Sequence, residues 1–295
     1  MARPALSASR GIDILDFLAG FPGRSFTLSE IARAAKINVA SCHAILTALT
    51  ERGYLSRTSQ RTYVLGPALV ALGHTALKSQ PLVARAGEAA DELAAEFGVG
   101  VLLSAAVGDE VVGVVAIDTP DGRDPGLRVG ERMPLAPPVG APFLAWSSPE
   151  KIDAWIARRA GASDAQLVAE WREALATIRR RGFQVTLRAP DSSELAALMS
   201  EMASGRQAPQ YKDQMIRLIG SLDHHLSQPG EIRPEALYDI VLIAAPIFDQ
   251  NGEAAFNLCL GGFAEPVSGA QINTYADRLV RTCVQIMRED RTAAA

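Results

Sequence analysis

Three cysteines in 295 residues, Cys42, Cys259 and Cys283, are too few and too far apart for a disulfide framework or a paired-thiol zinc site. They suit reduced thiols in a cytoplasm, and neither a cofactor nor a metal is expected. No apolar run approaches the roughly 20 residues that a membrane helix needs; the longest is 241–248. Met1 to Gly11 holds two arginines and no apolar stretch, so a secretion signal is not expected. Also lacking are a nucleophile elbow of the GxSxG type, a P-loop, an HExxH helix and a GxGxxG turn. Catalysis is therefore not expected. Asp223-His224-His225 is the nearest thing to a metal or acid–base cluster, but adjacent histidines point to different sides of a helix. Asp118, Asp121 and Asp124 fall in a Pro/Gly loop and read as turn residues.

What is present is an ordinary globular chain: 48% hydrophobic and 21% charged residues exclude wholesale disorder, and the length suggests two domains. The net charge of −4 conceals an asymmetry. Residues 1–66 hold eight Lys/Arg against four Asp/Glu, a charge of +4, so the remainder carries −8. A small basic head on an acidic body is the charge pattern of a DNA-binding domain joined to a regulatory one.

The head supports that reading. A helix is expected over 9–18, capped by Ser7 or Ser9, with Ile12, Leu15 and Leu18 on one face. Thr27-Leu28-Ser29-Glu30 has capping-box spacing and opens a short helix through Ala35. Lys36-Ile37-Asn38 makes a tight turn, and Asn38 caps a third helix running to Arg52. Val39, Cys42, Ile45, Leu46 and Leu49 give that helix its apolar stripe. Ala40, Ser41, Ala44, Thr47 and Glu51 lie opposite, with His43 on the flank. Residues 54–57 and 61–65 flank a polar turn and read as a basic hairpin. This is a winged helix-turn-helix over 1–66, with the third helix bound for the major groove. Arg33, Lys36, Arg57 and Arg61 are the expected phosphate contacts; Asn38, Ser41 and His43 lie nearer the bases. The alternative is a packing module in which the head serves assembly only, on a small-molecule-binding enzyme or sensor.

Beyond it, 67–77 reads as a linker helix within 67–80, with Leu69, Leu72 and Ala76 on one side, a candidate dimer seam. Residues 81–295 read as an α+β body. A helix over 83–97 precedes β-rich runs 99–107 and 110–117, joined at Gly108-Asp109, and a short strand at 127–129. Ser148-Pro149, Ser163 with Gln166, Asp191 with Glu194 and Ser268 with Gln271 signal helix starts. Strands are expected at 240–248 and 254–260, and a last helix over 270–288. Pro137 to Ala141 leads into a helix over 143–146, whose start offers N–H groups to an acceptor. Asn257, Cys259 and Gly261 share a strand face by the period of two.

These segments resemble the isocitrate lyase regulator (IclR) family of bacterial transcription factors. The resemblance rests on 7–15, Leu28-Ser29-Glu30-Ile31-Ala32, the His43 helix, Gly53-Tyr54-Leu55 and 63–67 in the head. In the body it rests on 129–135, Arg181-Gly182-Phe183 and 244–249. It implies a cytoplasmic, ligand-responsive regulator of a catabolic operon, working on double-stranded operator DNA as a homodimer or dimer of dimers. The implied body is a GAF/PAS-like antiparallel sheet with flanking helices, and the implied effector site is lined by Gly140, Ala141, Leu242, Asn257 and Cys259. The chain departs from the family in three places. The recognition helix is poor in long donors around His43. Gly140-Ala141-Pro142 stands where the family commonly has Gly-Lys-Ala. Residues 189–238 form an unusual insertion. The missing lysine, with apolar Leu242 and Phe256, implies a less polar effector.

Overall fold

The computed structural model describes residues 5–21, 23–159, 164–188 and 230–294. The Asp191 and Glu194 box, the His224-His225 pair and Ser163 lie outside the described residues. The chain forms two compact units, with the division after Gln80.

The first unit is built on three helices: α1 (Leu6–Ala19), α2 (Leu28–Ala34) and α3 (Val39–Glu51). A two-stranded hairpin follows, β1 (Leu55–Arg57) and β2 (Tyr63–Leu65), paired antiparallel with Arg57 opposite Tyr63. Helix α1 starts earlier than the sequence suggests. Its N-cap is Ala5, with no side-chain cap, and the Ser9 hydroxyl donates back to the Ala5 carbonyl at 3.4 Å. Ser7 and Ser9 are thus inside the helix. Its buried positions are Ile14 and Leu18, one turn apart, and Ile12 is 58% exposed. In α2 the capping box is complete: Glu30 N–H donates to Thr27 Oγ1, and Glu30 Oε2 accepts from Thr27 N–H at 2.8 Å. Those bonds hold the Glu30 carboxyl below the ordinary carboxylate range, so the box is formed at neutral pH and weakens on acidification through that lowered pKa.

Ile14, Leu18, Ile31, Cys42, Leu46, Leu55 and Tyr63 form the head core. Phe17, Phe21 and Phe26 close one end with ring centroids 4.8–5.0 Å apart. Phe26 and Tyr63 form an antiparallel bridge that ties the α1–α2 connection to the hairpin. Helix α4 (Pro67–Lys78) follows directly, with Pro67 at its first turn. Gly66 is the joint. Its N–H donates to the Tyr54 carbonyl at 2.7 Å, and a Cβ there would lie 2.2 Å from the Gly53 carbonyl oxygen.

The second unit is a three-layer sandwich. Its six strands run antiparallel in the order β5-β4-β3-β9-β8-β6. They are β3 (Gly100–Val107), β4 (Glu110–Ile117), β5 (Arg132–Pro134), β6 (Gln184–Leu187), β8 (Ile240–Phe248) and β9 (Ala254–Gly261). A separate pair, β7 (Leu237–Tyr238) and β10 (Val267–Ser268), precedes the last helix. The short strand expected at 127–129 is instead β5. Gly113 N–H donates to the Glu131 carbonyl and Gly130 N–H to the Gly113 carbonyl, so a turn occupies that stretch of the edge and pairing begins at Arg132.

One sheet face packs against α5 (Pro81–Phe97) and α9 (Gly269–Ala294) through Val101, Leu103, Ile243, Ala245, Leu258 and Leu260. The other face packs against α6 (Ala141–Leu144), α7 (Pro149–Ile156) and α8 (Ala165–Arg181). Ser148 caps α7 and accepts from Lys151 N–H. Asp164 caps α8, accepting from the N–H groups of Gln166 and Leu167. Ser268 and Gln271 form a reciprocal box at the start of α9. Among the described residues, no helix is long and apolar enough to cross a membrane.

Two substitutions check this account of the head. Thr27→Ala should cost about 1 kcal/mol of stability by removing the cap. Gly66→Ala should cost roughly 3 kcal/mol, because the methyl group meets backbone and cannot be relieved by a rotamer. Thermal unfolding of the full chain measures both; a Gly66→Ala protein as stable as the parent would contradict the close approach.

Candidate DNA-binding surface and effector site

Within the head, α3 and the hairpin both present exposed residues. Asn38 is the α3 N-cap, and its Oδ1 accepts from Ser41 N–H at 2.8 Å. Only its amide N–H groups are left to donate elsewhere. His43, Ala44 and Thr47 are exposed, whereas Ser41 is half-buried. Val39, expected in the apolar stripe, is 53% exposed, because the first turn of α3 runs past the edge of the head core. Arg33 lies in the last turn of α2, and Lys36 occupies the turn with φ +53. Both are exposed. Arg57 stacks its guanidinium 5.8 Å from the Tyr63 ring, which stiffens the side chain without using its N–H donors. Arg61 holds φ +61 at the hairpin tip. The Thr58 and Thr62 hydroxyls, 2.6 Å apart, close the strands below it. Arg24 was not singled out from the sequence. It lies over Phe26 at 4.8 Å, an exposed cation fixed beside the hairpin's neighbour. Aromatic residues three positions before and two after it were the available signal.

In the body, the β8 and β9 register decides what can form a site. Leu242 pairs with Gly261, Ala244 with Cys259 and Pro246 with Asn257. Leu102 pairs with Cys259 and Ser104 with Asn257. These residues share the face covered by α6, α7 and α8, and Ala141, Leu102, Ala244 and Cys259 belong to one buried cluster, with Leu242 packed against it. The Gly140 turn is bound to that cluster: φ is +80, and a Cβ would lie 2.1 Å from Leu135 Cδ1 and 3.4 Å from Val111 Cγ2. The structure thus gathers Gly140, Ala141, Leu242, Asn257 and Cys259 on one side of the sheet. Phe256 is not among them. It alternates to the opposite face with Leu258 and Leu260 and packs against the α5–α9 core.

The helix start expected to offer free N–H groups also differs. Helix α6 begins at Ala141 and is a single turn. Pro142 has no N–H, and the Phe143 N–H donates to the Gly140 carbonyl at 2.9 Å. Neither of these two positions therefore offers an N–H to an anion.

Burial pushes the Cys259 thiol up to about 12, so it is a neutral, apolar group at physiological pH. The Cys283 thiol, also buried, is raised in the same direction. The conspicuous atom is Asn257 Oδ1. The residue is 3% exposed, and this oxygen has no hydrogen-bond partner. An unpartnered buried polar group costs about 1–3 kcal/mol, and proteins that retain one generally use it. Ser104, Gln184 and Thr186 are further buried polar residues on this face; Gln184 Nε2 donates to Thr186 Oγ1 at 3.0 Å. Strand alternation in 100–107 and 184–187 was the signal for these three. Among the described residues, no group of three or more His, Cys, Asp or Glu is placed to hold a metal ion.

With this geometry in place, comparison with known proteins is informative. Residues 7–59 match the IclR helix-turn-helix domain. A curated relative, the glycerol operon regulatory protein of Streptomyces coelicolor, is 29% identical over 244 residues, spanning 80% of this chain and 92% of its own. Among solved structures, the IclR transcriptional regulator from Alicyclobacillus acidocaldarius aligns with a TM-score of 0.71 at 19% identity, covering 97% of this chain and 99% of that one. An IclR homolog from Microbacterium hydrocarbonoxydans, solved with 4-hydroxybenzoate, aligns at 0.63 with 18% identity over 97% and 99% of the two chains. The head thus carries an IclR helix-turn-helix domain, and the chain shares the fold of IclR transcriptional regulators along almost its whole length.

Proposed function

We propose that the chain is a cytoplasmic, ligand-responsive regulator that binds an operator of a catabolic operon as a homodimer or dimer of dimers. It carries out no catalysis. The observation that carries this reading is the head, where an exposed α3 stands beside a hairpin bearing Arg57 and Arg61. Residues 1–66 form the DNA-binding domain, 67–80 the linker helix and 81–295 the effector-binding domain. Arg33, Lys36, Arg57 and Arg61 hold phosphates, while Asn38, Ser41 and His43 face the bases. Because α3 exposes Val39, Ala40 and Ala44 rather than long donors, apolar contact with thymine methyl groups and groove shape carry much of the specificity. The relative named for the glycerol operon supports a catabolic target. The homolog solved with 4-hydroxybenzoate supports a small-molecule effector.

The effector site is placed between the Gly140–Ala141 turn and the Leu242, Asn257 and Cys259 positions. A ligand there regulates only by binding the DNA-competent and incompetent arrangements with different affinity. Dimerisation is assigned to α4. Its Val70 is 75% exposed and its Leu72 50%, and Ala76 and Leu77 are exposed as well, an apolar surface that a second copy would cover.

Sequencing the genomic fragments that the purified protein retains tests the reading directly; no enrichment over bulk DNA would refute it. Two variants test its parts. Arg57→Ala should weaken binding to every sequence and reduce the salt slope by about 0.9 for the lost phosphate contact. An unchanged slope removes Arg57 from the interface. Val70→Glu with Leu72→Glu should give a monomer by light scattering and weaken operator binding at least tenfold, about 1.4 kcal/mol. A dimer that survives both charges would place the seam elsewhere.

A further inference from the structure

The sheet face beneath α6–α8 carries no charge. Strand by strand, from Val111 and Ala116 on β4 to Gln184 and Thr186 on β6, the register presents only apolar or neutral polar side chains to it. Gln184 and Thr186 are bonded to each other. That leaves Asn257, nearly inaccessible and with its Oδ1 unpartnered, directly opposite Ser104 across the β3–β9 pair. In the adjoining turn α6 is one turn long, Pro142 lacks an N–H and the Phe143 N–H is bonded to the Gly140 carbonyl, so neither position offers a donor. A carboxylate on this face would lose its hydration against an apolar floor of Leu102, Ala244 and Cys259, and the buried cation of the covering layer, Arg159, is stacked 4.8 Å from the Trp171 ring rather than placed on the sheet. A neutral hydroxyl or amide N–H would instead supply the donor that Asn257 Oδ1 lacks. If the amide is turned over, its NH2 serves a neutral carbonyl or hydroxyl equally well.

We propose that the effector is a compact uncharged molecule bearing hydroxyl or amide groups, and that Asn257, with Ser104 beside it, is its polar anchor. The proposal rests on the placing of the effector site given under Proposed function. It makes Asn257 a specificity-determining residue: it selects a hydrogen-bonding neutral group and disfavours the matching acid.

The test uses the full-length protein and probe pairs that differ in charge on one skeleton: benzamide with benzoate, 4-hydroxybenzyl alcohol with 4-hydroxybenzoate, and glycerol with glycerate and glycerol 3-phosphate. Calorimetry and thermal shift measure binding, and operator release measures response. At least one neutral probe should bind at least tenfold more tightly than its acid. Asn257→Leu should weaken that probe at least tenfold while leaving the melting temperature equal or higher, because it removes an unpartnered polar group. Ser104→Ala, a smaller change, should weaken it severalfold. Tighter binding of the acids, no binding by any neutral probe, or an Asn257→Leu protein of unchanged affinity would overturn the proposal. Cys259→Trp separates this failure from failure of the site. With operator binding retained as proof of a folded head and near-ultraviolet dichroism as proof of a folded body, this variant should abolish probe binding. If acids win and Cys259→Trp abolishes them, the site stands and the neutral class falls. If the neutral probe binds Cys259→Trp as before, the site itself lies elsewhere and the proposal falls with it.

Discussion

Side chains on a strand alternate, and in the body of this protein both faces of the sheet are buried, so register decides the function of every residue on β3, β8 and β9. Leu258 and Leu260 belong to the α5–α9 core, while Asn257 and Cys259, one step out of phase, face α6–α8. A slip of one residue would bury Asn257 in the larger apolar core and turn Leu258 toward the candidate site. The antiparallel pairing of β9 with both β3 and β8 prevents that slip, because two ladders would have to shift together. The two cores are therefore different in kind. The buried sheet residues on the α5–α9 side are apolar, whereas those on the α6–α8 side include four polar ones, Ser104, Gln184, Thr186 and Asn257.

The head solves a different problem, which is to hold a short helix rigid with few residues. Its core is ten buried side chains, three of them aromatic. Local chemistry supplies much of the rest. Thr27 and Glu30 define one helix start and Asn38 the next, so the α2–α3 turn is fixed by caps at both starts. The hairpin is joined to the helices through the Phe26–Tyr63 bridge, and to α4 through the Gly66 contact with Gly53. Arginines 24 and 57 lie over aromatic rings and are thereby positioned without surrendering their charge. Side chains held in this way would lose little further freedom on meeting a phosphate backbone.

Several parts of this organisation were legible in the residues because they depend on neighbours close in sequence. The Thr27–Glu30 box and the Asn38 and Ser148 caps each involve interactions across three positions, and the basic hairpin pairs residues no more than ten apart. Misreadings occurred where a distant partner decided the outcome. Ile12 and Val39 have helical spacing but extend beyond the core, and Ile14 is buried instead of Ile12. Residues 127–129 have strand composition, yet the edge of β4 is occupied there by a turn, and pairing starts at Arg132. Phe256 has the polarity of a pocket wall but the wrong parity.

By itself, the sequence determined the basic winged helix-turn-helix head, the alternation that sets Asn257 and Cys259 on one strand face, and the family signature that joins them. Those features are carried by local hydrogen bonds, period and charge, all of which act between near neighbours. Only the tertiary structure decided that Ser104 stands opposite Asn257 and that Gly140 presses on Leu135 and Val111. It alone showed that α6 is a single turn whose Phe143 N–H is already bonded, and that the amide oxygen of Asn257 is buried without a partner. These depend on strands and helices brought together from far apart in the chain. Whether a polar atom is satisfied is settled by the geometry of that assembly, which no spacing along one strand encodes.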